Sequence, residues 1–139
     1  MISIEVKNAK EISKMFSDFG KDGEKALQGA LFVTALEGAS EAQMPKNCPV
    51  ITGRLRSSIH AENKKTSVNV YKDRNGLTFN GKLMAAFNEI DAAFGTNVSY
   101  AESVNNRNEF MEAGAAKAEE RVMENVVRAY NKLLENAKS

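Results

Sequence analysis

Cys48 and His60 are the only cysteine and the only histidine in this chain, and a thiol beside an imidazole is the smallest pair of side chains that could perform nucleophilic catalysis. They flank a turn-rich stretch, and no third residue is spaced to orient the imidazole. A small buried cysteine and a strand histidine account for both positions without chemistry. One residue of each type also falls short of a zinc site within a single chain. Two carboxylate pairs, Glu89 with Asp91 and Glu119 with Glu120, could in principle divide acid and base work. The first alternates with Ile90 and Ala92 and so belongs to the polar side of a strand, while the second falls on the charged face of an amphipathic helix. Both read as solvated faces. Glycines occur singly or in turns, with no phosphate-binding loop or dinucleotide fingerprint. The expectation is therefore a protein that is not an enzyme and carries no metal or cofactor.

The remaining chemistry is basic. Arg54 and Arg56 are separated by Leu55, and on a strand that spacing puts both guanidinium groups on one face and Leu55 on the other. Lys64 and Lys65 extend the patch. It could contact another protein or subunit, bind nucleic acid, or keep a strand edge from pairing. No aromatic series accompanies the arginines, so protein contact is preferred to stacking on bases. Overall charge agrees: 19 lysines and arginines balance 18 aspartates and glutamates, which leaves little long-range attraction for nucleic acid or anionic membrane.

These residues need elements to position them. Ile2, Ile4 and Val6 alternate as in a short strand. Ile12, Met15, Phe16 and Phe19 follow helical spacing, and Gly20 with Gly23 closes that helix and leaves a flexible joint. A second helix begins near residues 22–24 and runs to about Gln43, with Leu27, Leu31, Ala35, Gly38 or Ala39, and Ala42 as its main stripe. Phe32, Val33 and Leu36 lie off that stripe, so a second face of this helix should meet another element or subunit. Pro45 and Pro49 end it. Strands are expected over 57–62 and 67–71, then a hairpin turn at 73–76 leading to Leu77, Thr78 and Phe79, a projecting loop at 81–87, and a last strand over 89–95. Met111, Ala115, Ala118, Val122, Val126, Tyr130 and Leu133 mark a helix over 110–137.

That order predicts one α+β domain over residues 1–139, in which an antiparallel sheet packs against the long N-terminal-half and C-terminal helices and a hairpin or loop projects. A lone cysteine excludes an intrachain disulfide, and no apolar run approaches a membrane span. A soluble, unprocessed protein of a reducing compartment is expected.

At Pro49, Thr52, Gly53, Leu55, Arg56, Ser58 and Ile59 the chain resembles the tail-component family of tailed bacteriophages, whose members act in head-to-tail joining or tail completion. That family shows a proline, a Thr-Gly pair, Leu-Arg and Ser-Ile after a long helix. Gly95-Thr96 with Val98, then Tyr100-Ala101-Glu102, resemble its following strand and Tyr-Ala segment, and Phe110 with residues 113–116 is similar to its entry into a C-terminal helix. Residues 103–108 depart from the pattern, where the family carries an acidic, aromatic and Gly-Thr segment. The resemblance implies a virion structural protein without catalysis or small-molecule substrate. It would assemble as a ring with copies of itself and with connector or tail proteins at the head-to-tail junction, after assembly in the host cytoplasm. Pro49, Thr52, Gly53, Arg54, Leu55, Arg56, Ser58, Ile59, Tyr100 and Phe110 are its candidate assembly residues. The alternative is a small nucleic-acid-binding or regulatory module that uses the basic strand face.

Overall fold

The computed structural model describes residues 2–6, 10–48, 54–65, 67–69, 83, 92–98 and 100–138. Among these the order is β1 (Ile2–Val6), α1 (Lys10–Ser17), α2 (Gly20–Gln43), α3 (Arg54–Ser58), β2 (His60–Asn63), β3 (Ser67–Asn69), β4 (Ala92–Thr96), α4 (Ala101–Asn108) and α5 (Phe110–Lys138). The strands form one antiparallel sheet in the order β1-β4-β2-β3. The α+β architecture expected from the hydrophobic patterning is therefore the one observed. The hairpin turn at 73–76, the loop at 81–87 except Leu83, and residues 89–91 of the last strand lie outside the described residues.

β4 is central, paired to β1 on one side and to β2 on the other. Ala61 stands opposite Phe94 and His60 opposite Gly95, and strand alternation then puts Ala61 and Phe94 on one face with His60 and Glu62 on the other. α2 packs against β1, β2 and β4 and also along the length of α5. This explains its wide apolar girth. Leu27, Leu31, Ala35, Ala39 and Ala42 are buried and Phe32 and Leu36 are half-buried, because the helix faces two partners in its own chain. Val33 remains on the outside.

The α1–α2 corner is tighter than the expected flexible joint. Gly20 begins α2 two or more residues earlier than its spacing suggests, with φ of +59°, a left-handed conformation that glycine adopts without steric cost. Gly23 then lies directly against the Phe16 carbonyl, where a Cβ would collide with backbone. Tyr130 of α5 closes the corner, meeting the edges of Phe16 and Phe19 at ring-centroid distances of 5.6 and 5.8 Å, an edge-to-face arrangement favoured by the ring quadrupoles.

One expectation is corrected. Residues 57–62 are not one strand: Arg54–Ser58 is a helical turn and β2 starts only at His60. Periodicity of two and of 3.6 cannot be separated over so few residues, and a hydrogen bond from the Ile59 amide to the Arg56 carbonyl at 3.3 Å turns the chain. Residues 103–108, which depart from the phage pattern, belong to α4. It ends at Glu109 in the left-handed region, φ 51°. Asn105 then bridges to α5, its Oδ1 accepting from the Met111 amide at 2.9 Å and its Nδ2 donating to Glu112 at 3.1 Å, which satisfies an otherwise unpaired amide at the helix start.

Candidate assembly surface and its buried junction

Gln43, at the end of α2, ties that helix to the turn before β2. Its buried side-chain amide donates to the carbonyls of Arg56 at 2.7 Å and Ile59 at 2.8 Å, while Arg56 Nε donates back to the Gln43 carbonyl at 2.6 Å. The exchange gives the Ile59 carbonyl a donor in the interior and the Arg56 carbonyl a second donor beside the Ile59 amide, and it sets a cation at the negative end of a helix. Arg56 is thus turned toward α2. The common strand face expected for Arg54 and Arg56 does not exist, because both belong to α3. Lys64 and Lys65 lie beyond the other end of β2, exposed in the turn to β3 where Asn63 Oδ1 accepts from the Lys65 amide at 3.0 Å. The described members of the expected basic patch, Arg56 and the two lysines, are therefore divided between the two ends of one strand.

Ser58 continues the junction across the sheet. Its hydroxyl donates to the Leu55 carbonyl at 2.6 Å and lies 2.6 Å from Thr96 Oγ1. Since the Ser58 proton is committed to the carbonyl, the Thr96 hydroxyl donates to Ser58, and Thr96 Oγ1 accepts the Val98 amide at 3.1 Å.

His60 is fully buried on the second sheet face. Nδ1 lies 2.9 Å from the Ser58 carbonyl and Nε2 lies 3.1 Å from Glu62 Oε2, whose other oxygen accepts the Leu83 amide at 2.9 Å. A carbonyl can only accept, so Nδ1 carries a proton, and one further proton is shared between Nε2 and the carboxylate. Both ring nitrogens are occupied by these contacts, which leaves neither to act as base toward Cys48. Cys48 is itself buried, and burial pushes its thiol up to about 11, partly offset by the nearby Arg56 guanidinium. A thiol so held is a poor nucleophile at neutral pH.

Of the family-motif positions, Pro49, Thr52 and Gly53 lie outside the described residues, as does the side chain of Arg54. Leu55, Ser58, Ile59 and Phe110 are packed inside, so within this fold they shape the junction rather than display a contact. Tyr100, 44% exposed at the start of α4, is open to a partner. Glu119 and Glu120 stand on the exposed side of α5, as their spacing predicts. Glu89 and Asp91 lie outside the described residues. Sequence reasoning missed Gln43, Glu62 and the α2–α5 polar seam. In that seam Asn125 donates to Thr34 at 3.0 Å and to Glu37 at 2.7 Å, and Arg121 Nε meets the other Glu37 oxygen at 2.7 Å. Glu37 and Glu124 together raise the Arg121 pKa and hold it charged. The available signal was Thr34 and Asn125 on otherwise apolar helix stripes.

Among the described residues no cluster of histidine, cysteine and carboxylates could hold a metal ion, and no helix is long and apolar enough to cross a membrane. No protein-family model, curated protein or solved structure matches this chain.

Proposed function

We propose that this chain is a structural subunit of the head-to-tail junction of a tailed phage or prophage, acting in tail completion or head-to-tail joining without catalysis. The observation that carries the reading is the contact between Ser58 and Thr96 at 2.6 Å. It unites two stretches that resemble the phage tail-component family, Leu55-Arg56 with Ser58-Ile59 and Gly95-Thr96 with Val98, in one buried junction beneath a long helix. The proposed partners are further copies of the chain in a ring, and connector or tail proteins above and below it; the proposed location is the virion junction, reached from the host cytoplasm. A ring subunit needs two different exposed surfaces and a rigid body between them, and the α2–α5 pair with its polar seam supplies such a body. Arg56, committed to Gln43, lends little to a nucleic-acid-binding alternative.

Deletion of the gene from a phage or inducible prophage that carries it tests the reading. The expected result by electron microscopy is filled heads and separate tails. Normally joined particles, or a gene set far from portal, capsid and tail genes, would overturn it.

A further inference from the structure

The N-terminal half of α2 and the C-terminal half of α5 lie side by side and leave an open groove of about 800 Å³ between them. Its α2 wall runs from Asp22 to Val33 and its α5 wall from Asn125 to Ala137, about three turns, or roughly 16 Å, on each side. Small and apolar residues such as Ala26, Ala30, Ala129 and Leu133 form the floor, so another backbone can approach closely. The charged lining is Lys25, Arg128 and Lys132 against Asp22, and because Arg128 pairs with Glu124 at 3.1 Å, Lys25 and Lys132 carry the groove's positive excess. Such a groove fits a helix that is acidic along the flanks of a small, apolar stripe.

The same chain carries a helix face of that kind. On the first half of α5, Glu112, Ala116, Glu119, Glu120 and Met123 are all exposed and follow helical spacing along one stripe, about the length of the groove. Met123 is 55% exposed, the largest exposure among the large apolar side chains of the described residues. Among the described residues, Lys25 and Lys132 at the groove and Glu119 and Glu120 on the stripe make no ion pair within the chain. Groove and stripe occupy opposite halves of one continuous helix and cannot meet in one molecule.

We infer that the α2–α5 groove receives the acidic Glu112–Met123 face of α5 from a second copy of this chain. The contact joins two different surfaces, so each copy offers its groove to one neighbour and its acidic face to the next, which builds a ring or an open chain. The surface is assigned from the opposite charge and matching length of groove and stripe; only the closing of that chain into a ring rests on the virion reading above.

Charge exchange tests it. Self-association is measured by sedimentation velocity at low and high salt for the wild-type chain, for Lys25→Glu with Lys132→Glu, for Glu119→Lys with Glu120→Lys, and for all four substitutions together. All four positions are exposed, so folding is preserved. The wild type should associate, and more weakly as salt rises; each double variant should associate at least roughly tenfold more weakly. The fourfold variant, and an equimolar mixture of the two double variants, should regain association because opposite charges again face each other. Association indifferent to both reversals, or lost in the fourfold variant and the mixture, overturns the assignment while leaving the virion reading to its gene-deletion test. A wild-type chain that stays monomeric under all conditions also overturns it.

Discussion

A Cβ placed on Gly114 of α5 would stand 2.6 Å from the carbonyl oxygen of Gly38 on α2. The two long helices cross at these glycines, and the Phe94 ring fills the space beneath them, since a Cβ on Gly38 would lie 2.5 Å from Phe94 Cε1 and one on Gly114 2.8 Å from Cε2. Sheet and both helices therefore meet at one point, where the Phe94 ring lies against both glycines.

Gly114→Ala should destabilise the chain by about 1–3 kcal/mol, because a methyl group meets backbone and a fully buried ring, and this outweighs the gain of at most about 1 kcal/mol in helix propensity. Gly29, with nothing within 4 Å of its would-be Cβ, should behave oppositely, Gly29→Ala stabilising by about 0.5–1 kcal/mol. Urea unfolding of both variants checks the contrast; equal shifts of the same sign would refute the crossing geometry.

Gln43→Ala removes the side-chain donor from the Ile59 carbonyl in the interior and one of two donors from the Arg56 carbonyl, and about 1–3 kcal/mol of stability should be lost. Gln43→Glu should be at least as harmful at neutral pH, because it presents a carboxylate to two carbonyl oxygens. A loss below about 0.5 kcal/mol in urea unfolding would show that the junction is dispensable.

The shared proton between His60 and Glu62 separates two substitutions. Glu62→Gln can donate its amide to a neutral His60 Nε2 and still accept the Leu83 amide, so it should cost less than about 1 kcal/mol. Glu62→Ala strands both partners and should cost about 2–4 kcal/mol. In the glutamine variant, nitrogen NMR should find His60 with its proton on Nδ1. A proton on Nε2 instead would contradict the contact to Ser58.

The Cys48 thiol has a folded value of about 11 against an ordinary 9.0. Between those pH values the unfolded chain loses a proton that the folded chain keeps, so stability falls as pH rises from about 9 to 11, by on the order of 2–3 kcal/mol. Lysines and tyrosines titrate nearby, so the measurement is the difference between wild type and Cys48→Ala in urea unfolding at several pH values. Parallel curves would contradict the burial. The native thiol should also resist alkylation at neutral pH and react once the chain is unfolded.

The long helices were legible because their apolar repeats extend over many turns, and β1 because Ile2, Ile4 and Val6 alternate. The turn at Arg54–Ser58 was not, since Leu55-Arg56-Ser57-Ser58 satisfies either period until Gln43 arrives to accept it as a helical turn. α4 was hidden for a related reason: it buries Ala101 alone among its eight residues and so carries almost no apolar period.

By itself, then, the sequence determined the α+β class, the two long helices and the stripe by which α2 meets the sheet, because these follow from local propensity and repeated burial. It also held the glycines at 38 and 114, the polar Thr34 and Asn125, and the opposite charges on the two halves of α5, but without their meaning. Only the tertiary structure decided that Gly38 faces Gly114, that Arg56 turns back on Gln43, that His60 Nε2 meets the Glu62 carboxyl group, and that a basic groove lies between α2 and α5. Each of these is a contact between residues distant in sequence or on turns of ambiguous period, and no local preference encodes which distant surface a side chain will meet.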